Sequence, residues 1–198
     1  MPADDALRDR LVRVGAELLR TEGPGTLSLR EIARRAGVSH GAPRRYFPTH
    51  LSLLSAIAHV GFADLKTQVQ AALEAAGPDP RRRLATLARL YVRFAATDRA
   101  MFDLMFRHDL LQSGGELGLR HAALPLFTLL VELVTAVHPT PDPPAEITAA
   151  ALWSALHGLA ELSNWGSLTL ATGETDPASV IDAILTAHLG PRRTTEGA

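Results

Sequence analysis

Ala36-Gly37-Val38-Ser39-His40-Gly41-Ala42-Pro43-Arg44-Arg45-Tyr46-Phe47 is the stretch from which the rest of the chain is best read. Upstream of it, Ser28 stands three residues before Glu31, so the Ser28 hydroxyl can accept from the Glu31 N–H while the Glu31 carboxylate reaches back. A helix is expected to start there. Leu29, Ile32, Ala33 and Ala36 then fall on one face, and Gly37 supplies a residue that can take positive φ where the helix ends. In the turn Gly37-Val38-Ser39, Val38 is placed to plug the angle between two helices and Ser39 to cap the second, which carries Tyr46 and Phe47 inward. His40, Gly41, Ala42, Pro43, Arg44 and Arg45 fall in the N-terminal half of that second helix, where helix-turn-helix motifs meet base edges and phosphates. The expected partner is double-stranded DNA.

Two other readings use the same residues. A helix-turn-helix shape can be a plain αα-hairpin, which would make the chain a helical interaction module without DNA binding. Gly37-Val38-Ser39-His40-Gly41 also fits G-x-S-x-G, the nucleophile elbow of a hydrolase that would use Ser39. An elbow needs a buried strand immediately upstream, whereas the residues before Gly37 read as a charged amphipathic helix.

The chain has 198 residues, 46% of them hydrophobic and 21% charged, which is the composition of a folded globular protein of one or two domains. It has no cysteine, so disulfides, thiolate metal sites and cysteine nucleophiles are excluded. The first residues are polar and acidic and no apolar run reaches about 18 residues, so neither a signal peptide nor a membrane span is expected, and a cytoplasmic protein is. Net charge is −1 overall. Residues 1–50 carry nine arginines against six acids (+3), and residues 51–198 eleven cations against fifteen acids (−4). The basic end is the end with the motif. Lys66 is the only lysine, so phosphate contacts fall to arginine, which adds bidentate geometry to charge.

Helix signals run throughout, and no segment alternates with the period of a strand. Leu7, Leu11, Val14 and Leu18 mark a first helix ending at Glu22-Gly23-Pro24-Gly25. Thr49 can cap a long helix that stops at Gly77-Pro78, and Asp79-Pro80, Asp142-Pro143 and Asp176-Pro177 each place an acid before a proline at a helix start. Arg99–Arg107 reads as a short helix, Glu116–Val137 as a longer one interrupted by Pro125, and the last helix closes at Gly190-Pro191. The expectation is an all-α chain of about nine helices: a three-helix DNA-binding domain over residues 1–48, a helical bundle over 49–190 for ligand binding and dimerisation, and a loose tail over 191–198.

These pieces resemble the TetR family of transcriptional regulators, whose N-terminal pattern stands here as Ile32-Ala33, Ala36-Gly37-Val38-Ser39, Gly41, Tyr46-Phe47 and Leu53-Leu54. Trp153, His157 and Gly158 resemble the W-x-x-x-H-G signature of one C-terminal domain type in that family. The family often has Lys where this chain has His50, Tyr where it has Arg44 and Leu where it has Pro43. The resemblance implies a homodimer that represses from a palindromic operator and releases it when a small, largely apolar effector binds. It implies no cofactor, metal or catalytic residue. Ser28, Arg30, Ser39, His40, Ala42, Pro43, Arg44, Arg45, Tyr46, Thr49 and His50 are the expected DNA-contacting set.

The dimer is expected to use the Asp142 helix, small-surfaced through Ala149, Ala150, Ala151, Ala155, Gly158 and Ala160, together with the Asp176 helix. An intramolecular contact is the alternative for that face. Phe94, Phe102, Met105, Phe106, Phe127, Trp153, His157, Glu161 and Trp165 are the candidate ligand-lining residues, each also readable as plain core. His157 and Glu161 stand at i and i+4, which suits an intrahelical hydrogen bond, a ligand-orienting pair or, least well, a metal pair.

Overall fold

Ser28 opens the helix-turn-helix as its spacing requires: in a computed structural model of the chain its Oγ accepts from the Glu31 N–H at 3.1 Å, and helix α2 runs over Leu29–Arg35. The reciprocal half of the capping box does not form. Glu31 accepts instead from Arg34 (2.8 and 2.6 Å) and from Arg35 Nε (2.8 Å), while the Ser28 N–H donates to the Thr26 carbonyl at 2.8 Å. Guanidinium donors on the next turn make stronger, charge-assisted bonds than one neutral backbone N–H. At the other end Gly37 takes φ +67°, with its N–H on the Arg34 carbonyl and that of Val38 on Ala33. That pair of bonds is the Schellman ending, which needs a left-handed residue.

The structure describes residues 2–107, 119–140, 142–173 and 176–191. Its helices are α1 (Pro2–Glu22), α2, α3 (His50–Ala75), α4 (Pro80–Thr97), α5 (Arg99–Met105), α6 (Leu119–Val137), α7 (Ala145–Asn164), α8 (Ser167–Thr172) and α9 (Ala178–Leu189). Short 3₁₀ turns occupy Pro24–Thr26 and Ala42–Arg45. Among the described residues there are nine α-helices and no strand, an all-α chain as expected, although the sequence does not mark the short helix Ser167–Thr172 and the second helix of the motif is not among the nine. The expected helix start at Glu116 and the tail from residue 192 lie outside the described residues.

The caps explain most boundaries. Thr49 and Ser52 form a reciprocal box at the start of α3, with Ser52 N–H on Thr49 Oγ1 (3.0 Å) and Thr49 N–H on Ser52 Oγ (3.3 Å). Asp79 accepts from the Arg82 N–H at 2.6 Å, and Asp176 from the Ala178 N–H at 3.0 Å. Asp142 does not open its helix: α7 begins at Ala145 with Pro144 as its N-cap. A residue before proline is pushed out of the helical region, so Pro143, standing before Pro144, cannot be a first helical residue. Pro125 does not interrupt α6 either. It is exposed within a continuous helix and forfeits one backbone bond without ending it. Leu119–Val137 is also long and apolar enough, by length and composition alone, to cross a membrane, contrary to the expectation of no such run. In this fold its Leu119, Leu130, Leu133 and Val134 are buried among the other helices.

The chain forms two compact units, residues 1–64 with 98–123 and residues 65–97 with 124–198. In the first, α1 packs on α2 and α5 around Leu11, Leu18, Ile32, Phe47, Leu53, Ile57 and Met101. Gly15 and Gly61 permit close packing there. A Cβ on Gly15 would lie 2.5 Å from Ile57 Cδ1, and one on Gly61 2.5 Å from Met105 Sδ. Arg20 on α1 ties this unit together, reaching Asp64 and Asp98 at 2.6 Å each. In the second unit α4, α7 and α9 pack against one another and α8 folds back on α7. Arg81 and the Nε2–H of His138 (2.8 Å) donate to the Leu189 carbonyl, closing the end of α9.

Candidate nucleic-acid interface

The second helix of the motif is a four-residue 3₁₀ turn, Ala42–Arg45, and not the α-helix that the sequence suggests. Pro43 is the reason. It has no N–H to return to the Ser39 carbonyl, and its ring would crowd that carbonyl in an α-helix. The backbone closes i→i+3 bonds instead: Ala42 N–H to Ser39 (3.0 Å), Arg44 to Gly41 (3.2 Å) and Tyr46 to Pro43 (3.1 Å). Ser39 therefore serves through its carbonyl, and no side-chain cap opens this turn.

With three residues per turn, positions 43 and 46 share a face. Pro43 is buried on it and Tyr46 half-buried, next to buried Phe47, over whose ring the Arg8 guanidinium sits at 5.8 Å. Pro43 thus packs its ring inward, beneath the exposed residues of the expected contacting set. Arg44 and Arg45 leave on the other two sides and are exposed, with Arg45 stacked over Tyr46 at 6.0 Å. Ser28, Arg30, Ser39, His40, Thr49 and His50 are exposed as well, and Ala42 half-buried. Three of these have structural duties: Ser28 and Thr49 cap helices, and the His50 Nε2–H donates to the Leu27 carbonyl at 2.6 Å.

Charge is sorted in the same way. Glu31 takes both Arg34 and Arg35, and Arg35 also meets Glu22 at 2.6 Å. Hydrogen bonds from Arg34, then Arg35, hold the Glu31 carboxyl at a pKa of about 2. Arg30 and Arg44 have no acidic partner among the described residues. Ser39 follows a helix rather than a strand, so the elbow reading lacks its required setting.

The candidate ligand residues divide between the units. Phe102 and Met105 are buried in the first, with Phe106 against Phe102 (4.9 Å between ring centroids) and Phe62 (5.8 Å). Phe94 is core in the second. Phe127, Trp153 and His157 form an aromatic cluster there, with centroids 6.3 and 6.1 Å apart. Glu161 is half-buried and Trp165, at the end of α7, is 62% exposed. Tyr91 on α4 organises the cluster: the Trp153 indole N–H donates to its oxygen at 3.1 Å, and the same oxygen is hydrogen-bonded to His157 Nδ1 at 2.8 Å. Burial holds the His157 pKa below its usual value against the opposing charge of Glu161. The sequence reading missed Tyr91, although it falls in the stripe Leu84, Ala88, Tyr91, Ala95, where a tyrosine must find a partner for its hydroxyl. Among the described residues no group of three His, Asp or Glu could hold a metal ion.

A family model described as "Bacterial regulatory proteins, tetR family" matches residues 11–57, over the helix-turn-helix. A second, "Tetracyclin repressor-like, C-terminal domain", matches residues 84–188, more than half of the chain. The chain belongs to the TetR family of transcriptional regulators. Membership makes it a DNA-binding regulator, and the C-terminal match does not assign it to the W-x-x-x-H-G type. Among solved structures this TetR-family chain is similar to a protein of unknown function from Rhodococcus sp. RHA1, with 30% identity over 92% of this chain and 93% of that one and a TM-score of 0.78. It is also similar to the regulatory protein SCO4313, with 25% identity, 96% and 98% coverage and a TM-score of 0.73. The multidrug binding protein EbrR, solved in complex with ethidium, shares the fold at 22% identity, 92% and 98% coverage and a TM-score of 0.62. No curated protein matches the chain at a significant level.

Proposed function

We propose that this regulator is a homodimeric repressor that holds a palindromic operator through Arg30, Arg44 and Arg45 and leaves it when a small, largely apolar molecule binds the helical domain. The observation that carries the DNA contact is the outward exposure of both arginines of the recognition turn, set by the buried Pro43 and Phe47 beneath them. Arg44 and Arg45 read base edges or phosphates; Ser28, Arg30, Ser39, His40, Tyr46, Thr49 and His50 position the backbone of the duplex. Residues 1–48 act as the reader, 49–190 as the regulatory domain and 191–198 as a tail. The protein works in the cytoplasm and catalyses no reaction.

One such turn makes few base contacts, so two copies set one helical turn apart, roughly 34–36 Å, give useful specificity. Self-association is supported by the outer face of α7, where Ile147 (58% exposed), Ala151, Ser154 and Leu162 lie open and a Cβ on Gly158 would meet nothing. The aromatic walls and polar centre of the Tyr91–Trp153–His157 cluster support an effector in the second unit, as does the likeness to EbrR, which binds ethidium. Light scattering of the protein with a duplex selected from a random pool tests the reading. The expected complex holds two chains per duplex and is lost in an Arg44→Ala/Arg45→Ala variant. One chain per duplex, or full binding by that variant, would overturn it.

A further inference from the structure

Lys66, the chain's only lysine, stands at the rim of a groove of about 330 Å³ in the second unit, apart from the Tyr91 cluster. Val69 and Leu73 on α3, with Pro125, Leu126 and Leu129 on α6, line its apolar part. Lys66, Gln70 and Glu74 follow at i, i+4 and i+8 on α3, all exposed, and form a polar edge about 12 Å long at 1.5 Å per residue. The two ends differ in charge. Arg83 and Glu74 both stand at the other end, with Arg83 donating to the Leu73 carbonyl at 3.3 Å, so that end carries one charge of each sign. Lys66 has no acidic partner among the described residues. One cationic end, an apolar floor and a length of two helical turns match a molecule with a single anionic head and a short unbranched tail.

We propose that this groove binds an amphipathic monocarboxylate of about eight carbons, its carboxylate accepting from Lys66 Nζ and its tail lying over Val69, Leu73, Leu126 and Leu129. The volume is near the small end of ligand clefts, which disfavours large polycyclic compounds here. The far end, where Arg83 and Glu74 stand together, carries no net charge, so a second carboxylate gains nothing there and monocarboxylates are preferred. Polarity is fixed by Lys66 and length by the groove. Only the consequence at DNA rests on the ligand-responsive reading above; the binding site itself does not.

Reductive ¹³C-methylation gives Lys66 a single side-chain NMR signal, distinct from that of the α-amine, and octanoate, octylammonium and octanol are the probes. Octanoate is expected to shift the Lys66 signal saturably, with affinity rising about two- to four-fold per methylene from butanoate to octanoate. By calorimetry, Lys66→Gln is expected to weaken octanoate binding about 2–5-fold, Lys66→Arg to retain it, and Leu129→Asp to abolish it. Octylammonium or octanol binding as tightly as octanoate would overturn the proposal, as would octanoate heat that persists in Leu129→Asp with no shift at Lys66. A shift at Lys66 together with unchanged DNA affinity supports the groove and counts against release of DNA through it.

Discussion

Arg44 and Arg45 sit one residue apart yet leave a 3₁₀ turn on different sides, so their contributions to DNA binding should be separable. A residue bidentate to a guanine edge is expected to cost about 1–3 kcal/mol on truncation to Ala and to relax specificity at one position. One that meets a phosphate weakens all sequences alike and lowers the salt slope by about one. Titrations of Arg44→Ala and Arg45→Ala at several salt concentrations assign the roles. Equal, unchanged binding in both would remove this turn from the interface. In the second unit the residue to watch is His157. Because burial lowers its folded pKa, the unfolded chain binds a proton that the folded chain resists. Its contribution is therefore fully present above pH 6.5 and declines as pH falls from 6.5 toward the folded pKa. Urea midpoints at pH 8 and pH 5.5 should differ more in the native chain than in His157→Gln, and an identical pH dependence would contradict this.

The helix-turn-helix is held by its ends, and the ends give measurable costs. Ser28→Ala removes the one side-chain cap of α2 and is expected to cost about 0.5–2 kcal/mol in chemical denaturation. Gly61→Ala forces a methyl into Met101 and Met105 and is expected to cost about 1–3 kcal/mol, where an open site would gain from the same change. Most elements were legible in the sequence, because caps and breakers are local: Ser28, Gly37, Thr49, Asp79 and Gly190 each act within a few residues of where they stand. The errors came where two local signals competed. Pro143 stands before Pro144, so the second proline overrides the Asp142 cap, and Pro43 turns an expected α-helix into a 3₁₀ turn. The candidate site was less legible, since Tyr91 meets Trp153 and His157 from a helix more than sixty residues away. Spacing along one helix pairs His157 with Glu161, but only packing shows that the ring turns its Nδ1 to Tyr91.

At the scale of the whole molecule the proposed regulator joins a basic reading surface to a helical domain for which a ligand response is proposed. Coupling of about 1–3 kcal/mol, roughly 5–150-fold, would be enough for release, and by reciprocity operator DNA must weaken effector affinity by the same factor. Bulky replacement of Gly158, whose Cβ would enter open space within one chain, is expected to leave the monomer folded and to shift the protein toward monomer in light scattering. An unaltered dimer would place the interface elsewhere. Two copies of the Arg44–Arg45 turn are proposed to read one symmetric site. Selection of bound sequences from a randomised duplex pool tests this most directly. The expected result is an inverted repeat with half-site centres one helical turn apart, about 34–36 Å, that is lost when the Arg44→Ala/Arg45→Ala variant is used. A selected sequence without two-fold symmetry, or the same repeat recovered by that variant, would contradict it.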